Sequence, residues 1–382
     1  MKTRLFTPGP TPVPESVMLK MAGPIIHHRH PEFTEILARV TKNLQYLFQT
    51  EGEVLTLTSS GTGAMEAAVC NLHSPGDKAL FVNGGKFGER WGELLRTYGV
   101  DPVEKTVEWG SSVTPEQVVE VLKKHAGIKA VYLTQSETST GAATDVKAIA
   151  EAVRKNSEAL IVVDGITAVG AMELRMDAWG LDVVVTGSQK GLMIPPGLAF
   201  IAVGKRAWKV IEASKAPRYY FDLLHARKSN QSNDTPWTPA ISLVIGVDEA
   251  LEMIRKEGIE GVWARHSLLS RSIRDGVTAL GLRLLAKNAS SALTAFWLPE
   301  SMDPKKFNKI LKGTYGITIA GGQGHLSGKI FRISHLGYYD ELDMVAMISA
   351  LELTLAECGY SFPLGSGVQA VQRTLSERGS KK

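Results

Sequence analysis

The chain has 382 residues, 44% hydrophobic and 21% charged, a balance that suits a soluble globular protein and excludes disorder over its main body. Lys and Arg number 43 against 39 Asp and Glu with the signs interspersed, so the net charge of +4 gives no basic footprint for nucleic acid. Two cysteines and the lack of any apolar run of membrane-spanning length exclude a disulfide scaffold, a cysteine-based metal site and a transmembrane helix, and a reduced cytoplasmic setting is expected.

Prolines at 8, 10, 12 and 14 deny the first fifteen residues a helix interior, so 1–20 is expected to lie extended across another surface. Apolar runs at 54–58, 78–82, 130–134, 160–164, 183–186 and 198–203 read as buried strands, and segments of helical period lie between them at 63–72, 89–98, 115–125 and 146–155. This alternation predicts a large α/β domain over 21–245, with a mostly parallel sheet flanked by helices and a ligand at the carboxyl ends of its strands. Polar and proline-rich residues at 215–239 mark a long functional loop. Helices at 241–255 and 262–280, strands at 293–297 and 331–335 and a helix at 340–358 predict a smaller α+β domain over 246–362, and the polar residues 363–382 read as a flexible tail.

Three stretches carry chemistry. Lys190 follows the apolar run Val183-Val184-Val185 amid small residues and precedes the turn Pro195-Pro196-Gly197, where an open α/β sheet presents its ligand. A lysine there forms a Schiff base if its surroundings lower its pKa, whereas a lysine taken at random is far more often a solvated loop residue. Asp164 ends the run Ile161-Val162-Val163 and suits a pyridinium partner, or else a plain helix N-cap. Ser59-Ser60-Gly61-Thr62-Gly63 turns a strand into a helix, and its N–H groups and hydroxyls can hold a phosphate at the helix N-terminus. The absence of a P-loop lysine disfavours nucleotide binding.

Beyond these stand Thr7-Pro8-Gly9-Pro10-Thr11-Pro12, His28-Arg29-His30-Pro31-Glu32-Phe33, Glu137-Thr138-Ser139-Thr140-Gly141, Gly187-Ser188-Gln189-Lys190 and Thr235-Pro236-Trp237-Thr238-Pro239. In this order they resemble the class V aminotransferases of fold type I, closest to the alanine–glyoxylate and serine–pyruvate group, which includes soluble hydrogenase small-subunit proteins. The resemblance runs from about Phe6 to Tyr360.

The resemblance implies a pyridoxal 5′-phosphate (PLP) enzyme with a sheet of the seven-stranded type, Lys190 as the PLP-bearing lysine and Asp164 as partner of the pyridinium nitrogen. It assigns the phosphate to Ser60, Gly61 and Thr62 with Gln189, and places Thr138 near the cofactor's phenolic oxygen. Ile166 and Phe87 would pack on opposite faces of the ring, Phe87 standing where many relatives carry Trp. Arg332 would bind the substrate α-carboxylate, with Gly9 closing over it; read alone, Arg332 is equally a surface residue of an edge strand. Thr235 would cross a homodimer interface to the neighbouring subunit's phosphate.

The expected activity is transfer of the amino group of alanine or serine to glyoxylate or pyruvate. An aspartate donor would need a further cation, for which Arg29 or Arg218 could serve, and a phosphoserine donor would draw on His27, His28, Arg29 and His30. A cysteine desulfurase is disfavoured because 319–325 holds no cysteine and Cys358 falls in a helix pattern. The rival from another class is a non-catalytic subunit of a larger complex.

Overall fold

The computed structural model describes residues 2–377. Its large domain is built on seven strands in the order Glu53–Leu57, Ala199–Val203, Val183–Gly187, Leu160–Asp164, Ile128–Thr134, Lys78–Asn83, Asp101–Thr106. Ala199–Val203 runs antiparallel to both its neighbours and the other pairings are parallel. The central strands are buried on both faces, as their largely apolar content requires. Successive residues point to opposite faces, so Ile161, Val163 and Val184 join one core and Leu160, Val162, Val183 and Val185 the other.

The strands and helices expected from periodicity are present to within a few residues. The sequence reading missed Asp101–Thr106, an edge strand whose proline and charged residues hide its period. It also missed the helix Pro31–Phe48, which His30 caps through the N–H of Glu32.

Three boundaries need correction. Within 1–20, Glu15–Met21 is helical, so only the residues before it are extended. The domain boundary does not fall at 245: in the helix Ile241–Glu257, Val247, Ala250, Leu251 and Ile254 belong to the large-domain core, and Asp248 and Glu252 bond Arg39 and Asn43. The change of domain comes inside the next helix, Ile259–Ala279, where Trp263 packs with the first core and Leu269, Ile273 and Val277 with the second.

The tail is the third correction. Ser366–Ser376 is a helix with Val371 fully buried, and the buried Glu352 carboxylate accepts the N–H groups of Gly365, Gly367 and Val368. Its polar composition masked a one-sided apolar stripe. Residues 378–382 of the expected tail lie outside the described residues.

The small domain carries the antiparallel strands Leu293–Trp297, Ile330–Ser334 and Ala320–Gly321. The N-terminal strand Arg4–Leu5 pairs in parallel with Ile317–Thr318, and Phe6 enters the small-domain core. The chain then crosses to the large domain, where the Thr11 hydroxyl donates to the Lys190 carbonyl at 3.0 Å.

Candidate active site

The register of the central strands sets the site. Asp164 ends its strand opposite Val185, and the neighbouring strand runs out at Gly187, three residues before Lys190. The turn beyond is tied by Ser188, whose hydroxyl donates to the Pro195 carbonyl and accepts the N–H of Leu198. Lys190 is 8% exposed, and its Nζ donates to the Pro8 carbonyl of the N-terminal segment.

Burial pushes the Lys190 amine down to about 8; Asp164 opposes this, and Arg332 and Arg90 add to it. Burial likewise pushes Asp164 up to about 7, opposed by the N–H of Ile166, reinforced by Glu137 and opposed again by Arg90 and Lys190. Asp164 Oδ1 accepts the Ile166 N–H at 2.8 Å.

Around this pair stand most of the residues singled out from the sequence. Ser60 is the N-cap of the helix Gly61–Leu72, and its hydroxyl makes no capping bond. A Cβ on Gly61 would lie 2.7 Å from Ile166 Cδ1, and one on Gly187 would lie 3.1 Å from Gln189 Oε1 and 3.4 Å from Gly61 Cα. The absence of side chains at the two glycines therefore lets Ile166, Gln189 and the helix N-terminus converge. The Thr62 hydroxyl accepts from Arg90 Nη1 at 3.1 Å, and the Arg90 guanidinium lies 4.9 Å from the centre of the Phe87 ring.

Arg332 reaches the same place from the small-domain sheet and is a buried site residue, not an exposed edge arginine. Its Nη1 donates to the Thr138 carbonyl at 2.6 Å, and Nε and Nη2 both donate to the Gly321 carbonyl. A guanidinium has five N–H groups, so one remains on each terminal nitrogen, the fork that grips a carboxylate. Burial lowers the Arg332 pKa to about 10, opposed by Glu137. Gly9 lies against the Lys190 side chain: a Cβ there would come within 2.5 Å of Cε.

Other candidates are placed elsewhere. Thr235 bonds within its own loop, donating to the Trp237 carbonyl at 2.8 Å, and that loop touches the turn at 58–63 where the Ala240 N–H donates to the Thr58 hydroxyl. Arg218 is engaged by Asp222 and by the carbonyls of Ser214 and Ile211. The Arg29 backbone N–H donates to His27 Nδ1 at 3.1 Å within an exposed turn, and the Arg29 side chain is exposed. Cys358, at the end of the helix Glu341–Glu357, packs on the small-domain core and its thiol is pushed up by burial. Two residues the sequence reading assigned no role, Glu137 and Arg90, also border the site, through Phe87 and Thr62; one lies in a quoted motif and the other one helical turn after Phe87.

The residues fit PLP. Gln189 has a buried carboxamide oxygen without a partner beside an uncapped helix N-terminus, and exchanging its oxygen and nitrogen presents a donor to a phosphate. Asp164 offers a buried carboxylate whose single bond is to Oδ1, suited to a ring N–H, and Lys190 offers a buried amine of lowered pKa.

A family model described as "Aminotransferase class-V" matches residues 4–345. The chain belongs to this family. As a class-V aminotransferase it has the fold type I architecture, depends on PLP and moves an amino group between an amino acid and a 2-oxo acid. This class-V aminotransferase is 44% identical to a "Soluble hydrogenase, small subunit" of Synechococcus, over 98% of this chain and 99% of that one. It is 34% identical to a serine–glyoxylate aminotransferase of Methylorubrum extorquens, over 98% and 96% of the two chains. A solved aspartate aminotransferase of Thermus thermophilus superposes with a TM-score of 0.88 at 36% identity, covering 93% of this chain and 99% of that one. Among the described residues, no helix is long and apolar enough to cross a membrane.

Proposed function

We propose that this aminotransferase takes its amino group from a small amino acid, alanine or serine, and gives it to glyoxylate or pyruvate in the cytoplasm. The observation that carries the reading is the convergence of Lys190, Asp164 and Arg332: a buried amine and carboxylate of shifted pKa, facing a guanidinium with a free fork.

Bound PLP supplies the carbonyl that exchanges amino groups and the ring that takes up the electrons of the substrate Cα–H bond. Lys190 Nζ would hold the cofactor, and its amine would carry the proton at the substrate Cα. Asp164 would accept the ring N–H and keep that nitrogen protonated. Ser60, Gly61, Thr62 and Gln189 would hold the phosphate, Thr138 would serve the phenolic oxygen, and Ile166 and Phe87 would cover the two ring faces. Arg332 grips the α-carboxylate, and Gly9 closes the pocket from the N-terminal side.

A small donor is favoured because a second substrate anion finds few free cations. Arg218 is spent on Asp222, and Arg90 is engaged by Thr62 and Phe87. A second copy of the chain would complete the phosphate site through Thr235, whose loop borders the phosphate turn. Against a non-catalytic subunit stands the cost of burying an amine, a carboxylate and a guanidinium, which a scaffold has no reason to bear. The free cysteines Cys70 and Cys358 suit a reducing compartment.

The test is rapid-mixing absorbance of PLP-reconstituted protein with alanine, serine, aspartate and phosphoserine, beside Lys190→Ala. Loss of the visible cofactor band with alanine or serine, and no such band in the variant, is expected. A faster response to aspartate would transfer the assignment to the dicarboxylate donor, and a wild type with no band would overturn the enzyme reading.

A further inference from the structure

Glu137 is a buried acidic group near the site, 5% exposed, and the roles assigned above leave it without a task. Four donors meet on its carboxylate. Oε2 accepts the N–H of Phe87 at 3.1 Å and of Gly88 at 3.0 Å, while Oε1 accepts the N–H and hydroxyl of Ser139 at 3.1 and 2.6 Å. The Ser139 oxygen in turn accepts the N–H of Lys86 at 3.1 Å, which leaves its proton for Glu137. Burial pushes the Glu137 pKa up, and the hydrogen bonds from Ser139, Gly88 and Phe87 oppose that shift.

Lys86, Phe87 and Gly88 open the helix Lys86–Thr97, whose N-cap, Gly85, has no side chain to satisfy them. A helix start leaves its first N–H groups unpaired. Glu137 supplies from another segment the acceptor that the Gly85 N-cap lacks. A Cβ on Gly85 would lie 2.5 Å from Glu137 Cγ and Cδ, so the missing side chain makes room for the contact. The next residue, Thr138, gives its carbonyl to Arg332. One carboxylate therefore joins the turn that carries Phe87 to the strand end that receives the substrate arginine.

We infer that Glu137 is a positioning residue, which fixes the Phe87 ring and Thr138 relative to each other and so sets the tilt of the cofactor against its aromatic wall. The inference rests on the PLP reading above. A helix cap of purely structural value would lower the stability of the apo chain and leave bound cofactor unchanged. A positioning group changes how the cofactor sits.

The experiment compares wild type, Glu137→Gln, Phe87→Leu and the double variant by PLP titration, by circular dichroism in the visible cofactor band and by thermal unfolding of the apo chain. Glu137→Gln is expected to weaken PLP binding about tenfold, as one charge-assisted hydrogen bond lost would do, and to diminish the visible dichroism. In the Phe87→Leu background the same change should cost no more than about twofold, since interacting residues are not additive. A folded Glu137→Gln with unchanged affinity and dichroism, or with effects that add to those of Phe87→Leu, overturns the inference. If Glu137→Gln does not fold, Ser139→Ala in the same cycle decides by the same signs, with a loss of about threefold expected. A wild type that shows no cofactor band overturns the PLP reading and this inference with it, whereas a normal wild type beside an indifferent variant overturns the inference only.

Discussion

Arg332 Nη1 and the Thr138 carbonyl oxygen lie 2.6 Å apart, and this contact joins the small-domain sheet to the carboxyl end of the large-domain sheet. Together with the two bonds to Gly321 it orients the guanidinium before any substrate arrives. Arg332→Lys keeps the charge and loses the fork. A KM for the amino donor raised roughly 30-fold is expected, on the order of 2 kcal/mol for a charged bidentate contact, with kcat within about threefold. Steady-state kinetics with alanine and serine check it, and an unchanged KM would remove Arg332 from carboxylate binding.

The lowered pKa of Lys190 governs how the apo chain takes up PLP. The neutral amine is the nucleophile, so the rate of cofactor incorporation should rise with pH through about 8 and level off above it. Asp164 supports the charged ammonium, so Asp164→Asn should move that midpoint to lower pH. Absorbance-monitored reconstitution over a pH series reads both, and a midpoint near the ordinary lysine value would contradict the burial argument.

Asp164 makes the opposite contribution to stability. Its pKa is raised on folding, so between the ordinary carboxyl value and about 7 the native apo chain binds more protons than the unfolded one, and stability falls as pH rises through that window. Asp164→Asn, which can still accept the Ile166 N–H, should therefore stabilise the apo chain by ~2 kcal/mol at pH 8. The gain should shrink as pH falls toward 4. Urea unfolding at the two pH values measures it, and an equal gain at both would point away from ionisation.

Gly9 stands with φ +123°, in the region that favours glycine, and with its α-carbon against Lys190. Gly9→Ala would drive a methyl group into the lysine side chain. PLP incorporation about tenfold slower, at an unfolding temperature within a few degrees of wild type, is expected. Normal incorporation would mean that the N-terminal segment lies farther from Lys190 in solution.

Removing residues 365–382 strips the buried Glu352 carboxylate of three N–H donors. It also uncovers the core face on which Val371 is fully buried, a loss of roughly 1.5–3 kcal/mol for such a side chain, so the truncated chain should unfold at lower urea. A truncation without effect would show that Ser366–Ser376 is not held by this contact.

Much of the site was legible because it is local. A strand that ends in Asp164, a Ser-Gly-Thr turn and a lysine after a Val-rich strand each need only a few neighbouring residues, and the central strands announce themselves by unbroken apolar runs. The edge strand Asp101–Thr106 and the helix Ser366–Ser376 did not, because charged and polar residues face solvent there and leave only a thin apolar stripe.

By itself the sequence determined the α/β alternation, the motifs and the family resemblance they carry, since these depend on residue type and spacing along the chain. Only the tertiary structure decided that Arg332 points inward with its fork open, that the N-terminal segment rests on Lys190, and that Glu137 caps a helix 50 residues away from it in sequence. Such contacts join segments far apart in the chain. Burial and charge at those points are set by the summed packing of the whole fold, which no local window of sequence contains.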